Sequence, residues 1–174
     1  MEYKFADEMN WQEQFKMLKR WYYRIRDGVD NDKDDFYFAF FITCHQFKDW
    51  LVKDGAATAK EVDDCIEKSD VLKLCADIAT FSKHARVGRE ARTGDSKTNA
   101  VGQKYMAVAS GVMDSTIKIE SGGKIIYANL ELVGECLDAW YKFLVSKKLE
   151  VPKTLAEATA HIYKHPMKKW EPKP

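Results

Sequence analysis

His45 and Asp49 stand four residues apart in FYFAFFITCHQFKDWL, residues 36–51. On a helix that spacing puts both on one face, where the carboxylate can hold the imidazole in a single tautomer. Asp77 and His84 lie two helical turns apart further on, again on one face. If the two faces meet, His45, Asp49, Asp77 and His84 could serve as an acid–base or metal site. The plainer reading is that they are polar groups satisfied inside a helical bundle. No Ser or Cys nucleophile is marked by a local motif.

Cations offer a second chemistry. Lys16, Arg20 and Arg24 recur every four residues beside Trp21 and Tyr23, and Arg86, Arg89 and Arg92 cluster in a later segment. Such rows can hold the phosphates of RNA, DNA or a nucleotide while the rings stack on bases. They serve equally as solvated faces, and Glu90 and Asp95 dilute the second cluster. The acidic row Glu131, Glu135 and Asp138 could meet the basic row of a second copy, so a homodimer or protein partner is the matching expectation.

Other patterns fall short of their motifs. His161 and His165 have the helical spacing of two zinc ligands but lack an intervening glutamate and a third ligand. Asp30, Asp32 and Asp34 alternate as in a calcium loop, but Asp35 stands where the turn glycine belongs and Phe41 where the closing glutamate belongs. Gly94, Lys97 and Thr98 lack the contiguity of a phosphate-binding loop. Cys44, Cys65, Cys75 and Cys136 are widely spaced on predicted helices with no CxxC, and read as small buried hydrophobes. No metal or cofactor is expected.

Positioning these groups takes helices. Asn10 with Glu13 reads as a capped start, and Trp11, Phe15, Leu18, Tyr22 and Ile25 share one face to about Asp27. Residues 36–51 are apolar on nearly all sides for two turns, which demands enclosure as a central rod. Cys44, His45, Lys48 and Asp49 then read as the rod's polar interruption, facing its neighbour's polar end at His84. Thr58 with Glu61 opens a short element carrying Val62, Cys65 and Ile66. Ser69 caps a helix over 70–87 that buries Val71, Leu74, Cys75, Ile78, Phe81 and Ala85.

Residues 88–103 lack periodicity and read as a surface loop. Short β-branched runs around Ser121, Gly122, Gly123 and Lys124 predict a β-hairpin at about 104–128. Asn129 caps a helix to about Lys148 with Leu130, Val133, Leu137, Trp140, Tyr141 and Leu144 inward. Thr154 with Glu157 starts a short helix that Pro166 ends. The expected class is mainly α: a four-helix bundle with a β-hairpin, or short three-stranded meander, inserted before the last long helix. One domain over 1–165 and a loose tail over 166–174 are expected.

Composition narrows the function classes. The chain has 174 residues, 45% of them hydrophobic, which suits one folded domain rather than a disordered segment. Lys+Arg 28 against Asp+Glu 27 leaves a formal net charge of +1, so any nucleic-acid binding must use a local patch. No cationic leader opens the chain, and no apolar run nears the roughly 20 residues that span a bilayer. A cytoplasmic protein without membrane contact is expected.

The blocks FFITCHQFKDWL, DVLKLCADIATFSKH and ANLELVGECLDAW resemble an uncharacterised group of small bacterial helical-bundle proteins. The four-helix plan is similar to HEPN-like domains, across residues 36–87 and 124–145. HEPN ribonucleases are marked by an arginine and a histidine separated by four to six residues. No histidine here has an arginine at that distance before it, so catalysis does not carry over. The resemblance implies a non-catalytic binding protein of bacterial or phage defence or counter-defence, taking a nucleotide, nucleic acid or protein partner. The alternatives are a metal-independent ribonuclease-type toxin using His45, Asp49 and His84, and a structural subunit of a complex.

Overall fold

The computed structural model describes residues 9–27, 33–84, 99–107, 113–121 and 124–151. Helix α1 (Trp11–Asp27) starts on Asn10, whose Oδ1 accepts from the Glu13 N–H at 2.9 Å. The Trp11 N–H donates to Asp54 Oδ2 at 2.6 Å, so a second orphan amide of the first turn finds a remote acceptor. The periodic face expected from the sequence is the buried one: Trp11, Phe15, Leu18, Tyr22 and Ile25, with Gln14 among them.

Helix α2 (Lys33–Lys53) is the central rod, packing against α1 and three further helices: α3 (Ala59–Glu67), α4 (Asp70–His84) and α5 (Leu130–Ser146). Tyr37, Phe40, Phe41, Cys44, Phe47 and Leu51 are completely buried along it, while Phe36 and Phe38 are only partly covered. Cys44 therefore does not belong to a polar interruption of its lower half. Cys44 continues the apolar stripe, because Cys44, Phe47 and Leu51 keep the three- and four-residue steps of one helix face.

Aromatic rings join three helices through this rod. Phe15 stacks on Phe47 at 5.0 Å between centroids, Phe47 meets Trp140 edge-on at 5.2 Å, and Trp140 meets Phe143 at 5.9 Å. Each such pair adds about 0.5–1.5 kcal/mol beyond the area it buries. Phe15 lies on α1, Phe47 on α2, and Trp140 and Phe143 on α5, so the rings run continuously across the core.

Helix α4 is enclosed through its middle, with every residue from Leu74 to Ala79 buried. Leu72 is buried there, whereas Val71 is only partly covered. Helix α5 is capped by Asn129, whose Oδ1 accepts from the Leu132 N–H at 3.0 Å. It buries Val133, Cys136, Leu137, Trp140, Phe143 and Leu144.

The expected class is overturned. Among the residues whose side chains are described, 83% are helical, in five helices, and none lies in a strand or sheet. Among those residues there is no β-hairpin, and the mainly α part of the expectation is what stands. The helix beyond the expected four is α3, which has the means to be a full member of the bundle. Thr58 and Glu61 close a reciprocal capping box, and Val62 and Ile66 bury almost all their surface.

Lys147 of α5 also bonds the Glu61 carboxylate, tying α3 to the last helix. That contact, then the Thr58 backbone and hydroxyl, hold the Glu61 carboxyl down to about 2.

Three segments, Asn99–Ala107, Met113–Ser121 and Lys124–Ala128, lie antiparallel in sequence order, with Asn99 opposite Glu120 and Ile117 opposite Ala128. The first begins inside the stretch expected to be a loop, and the Gly122–Gly123 turn lies outside the described residues. The expected helix over 154–164 and the tail over 166–174 also lie outside them.

Candidate functional site

Helices α2 and α4 pack side by side. His45 is half-buried and Asp49 exposed on α2, while Asp77 of α4 is buried. The two carboxylates therefore sit in different surroundings, one in solvent and one in the core. Asp49 lies two residues beyond the buried Phe47, a step that carries it around to the outer side of the helix. His84 falls in the last turn of α4, with its side chain outside the described residues.

The outer face of α1 presents Lys16, Arg20 and Arg24 as one exposed row. Lys16 is paired with Glu13 at 2.6 Å. The Arg24 guanidinium lies 4.6 Å from the Trp21 ring centre, and Tyr23 is flanked by Arg26 at 4.5 Å and Lys19 at 5.3 Å. Arg26 also grips Asp27 through two bonds of 2.6 and 2.7 Å, the main reason its pKa is raised. Three cations thus rest on two aromatic rings, which fixes side chains that are otherwise mobile. The second expected cluster, Arg86, Arg89 and Arg92, lies outside the described residues.

The constellation that sequence reasoning missed is made of cysteines. Cys44 of α2, Cys75 of α4 and Cys136 of α5 are all buried, with their sulfurs within 4.8 Å of one another. The Cys75 S–H donates to the Phe41 carbonyl at 3.5 Å and the Cys136 S–H to the Val71 carbonyl at 3.7 Å. Each of these two thiols thus chooses between a helix carbonyl and the Cys44 sulfur.

The three thiols are electrostatically unequal. Burial pushes Cys44 up, but the donors of Cys136, Cys75 and Trp140 close beside it outweigh burial and bring the group down to about 5. Cys75 is pushed well above its ordinary value, by burial first and then by its bonds with the other two. Cys136 is likewise raised, chiefly because its proton is held for Cys44.

The Trp140 ring is buried, and its Nε1–H has no hydrogen-bond partner of normal geometry. Cys44 is nevertheless the group whose charged form that N–H favours. Each cysteine sits on its helix's buried stripe, which is the one sequence signal available. Their convergence depends on how the three helices are set against one another, and no spacing within a single segment records that.

A groove of about 430 Å³ runs between α3 and α5, lined by Glu61, Asp64, Cys65, Lys68, Lys142 and Phe143 among others. Its charged groups are largely engaged already: Lys142 pairs with Asp138 at 2.6 Å, Asp64 with Lys60 at 2.7 Å, and Glu61 with Lys147. No described helix is long and apolar enough to cross a membrane. No family model, curated protein or solved structure matches this chain.

Proposed function

We propose that the chain is a non-catalytic binding protein that takes single-stranded RNA on the outer face of α1. The observation that carries this reading is the row of Arg20 and Arg24 beside ring-supported cations, with Arg24 4.6 Å over Trp21 and Arg26 4.5 Å over Tyr23. A guanidinium lying on a ring offers its donors to phosphate and its outer plane to a base. With a formal net charge of +1, the molecule supplies little long-range attraction, so affinity must come from this local face. The resemblance of the sequence to HEPN-like domains supports a setting in bacterial or phage defence or counter-defence.

Fluorescence anisotropy with labelled oligouridine, read across a salt series, tests the proposal. Arg20→Glu with Arg24→Glu is expected to weaken binding and to flatten the log–log salt slope by about 1.4, the contribution of two single-strand phosphate contacts. Absence of binding even at about 50 mM salt, or affinity unaltered by the double reversal, would overturn it.

A further inference from the structure

We propose that Cys44, Cys75 and Cys136 form a three-coordinate site for one soft d10 cation, Cu(I) being the biological ion of that class. The three sulfurs come from three helices and already lie within 4.8 Å of one another. Three thiolates around an ion at about 2.3 Å stand roughly 4 Å apart, so closing on the ion asks each pair to approach by less than about 1 Å. Shifts of that size fall within side-chain rotation and leave the helices in place.

The donor set selects the ion. Soft sulfur ligands favour Cu(I), whereas calcium and magnesium need shells of oxygen. Zinc in a structural site takes four ligands. Among the described residues, no fourth His, Cys, Asp or Glu shares the cluster. A set of three sulfurs suits an ion satisfied by three.

A second observation points the same way. The Trp140 Nε1–H is enclosed, lacks a partner of normal geometry, and acts on Cys44. A buried donor left unmatched is costly, and a cluster of neutral thiols gives it little to bond. Thiolate charge that the cation leaves uncompensated would give it an acceptor, the role that outer donors play around metal-bound sulfur.

As each S–Cu bond forms, the thiol's proton passes to solvent; copper stays Cu(I) and no electron moves. Because the three ligands sit on α2, α4 and α5, the ion would clamp those helices and binding would add directly to folding stability.

The test uses the full chain, reduced and anaerobic, titrated with Cu(I) against a competing chelator. One equivalent is expected to produce a thiolate-to-copper charge-transfer band, a higher thermal midpoint, and X-ray absorption showing three sulfur neighbours at about 2.3 Å. Cys44→Ser, Cys75→Ser and Cys136→Ser should each remove the band, while Cys65→Ser keeps it. Should a triad variant fail to fold, the coordination of the wild-type protein decides alone. Oxygen or nitrogen neighbours at the bound ion, a band lost with Cys65→Ser, or preference for Zn(II) over Cu(I) overturns the assignment.

Discussion

The interior where α2, α4 and α5 meet and the outer surface of the bundle handle polar groups in opposite ways. On the surface, cations find carboxylates within one or two turns: Lys16 with Glu13, Lys60 with Asp64, Lys73 with Asp70, Lys142 with Asp138. Such pairs contribute about 0–1 kcal/mol each, because water already solvates both partners. In the interior, Trp140 Nε1 where these helices meet and Gln14 Oε1 on the buried face of α1 are enclosed without a partner of normal hydrogen-bond geometry. An unmatched buried group costs about 1–3 kcal/mol, so the few interior polar atoms weigh more than the many surface charges. The difference explains why the thiol cluster, rather than the visible charge rows, is where the structure adds most to the sequence.

The largest effect expected from this contrast is at Trp140. Trp140→Ala removes a ring packed against Phe47 and Phe143 and should cost about 3–5 kcal/mol in urea unfolding. Trp21→Ala, on a partly covered ring, should cost less than about half of that. Equal losses at the two sites would erase the distinction between a fully enclosed and a partly covered ring.

A smaller effect, of opposite sign, is expected at Gln14. Gln14→Met keeps the volume and removes the unmatched acceptor, so stability should stay level or rise by about 1 kcal/mol. A loss beyond about 1 kcal/mol would show that the amide is worth more than its missing partner suggests.

The smallest effect belongs to a surface tie. The Glu61 carboxyl is lowered from 4.5 to about 2, first by Lys147 and then by Thr58. A depressed folded pKa means that the stability this group contributes is fully present above pH 4.5 and is lost as pH falls towards 2. Thermal midpoints followed through that window should fall less steeply for Glu61→Gln than for the wild-type chain. Parallel curves would mean that the Lys147 contact does not persist in solution.

Periodicity made much of the helical frame legible. The α1 face, the caps at Asn10, Thr58 and Asn129, and the central position of α2 could all be read because each signal lies within a few consecutive residues. What could not be read depends on distance through space. Cys44 reads from the sequence both as a small buried hydrophobe and as part of a polar interruption, and its step to Phe47 and Leu51 decides for the first. Its meeting with Cys75 and Cys136 requires the relative rotation of three helices, which no single-segment pattern encodes. The capping box of α3 and its Val62 and Ile66 are legible in the sequence, whereas its membership of the bundle comes from packing on α2 and α4.

One bond bears on the order in which the chain assembles. The first-turn amide of Trp11 is answered by a carboxylate at Asp54, 43 residues further along. Asn10 can begin α1 as soon as that segment exists, but its first turn is completed only when α2 has been built to its end and folded back. Closing a loop of that length costs about 3 kcal/mol, which the ring contact of Phe15 with Phe47 helps to recover. The two helices should therefore zip together as one hairpin. An excised α1 peptide, although it keeps Arg20, Arg24 and its own cap, should fray at its start.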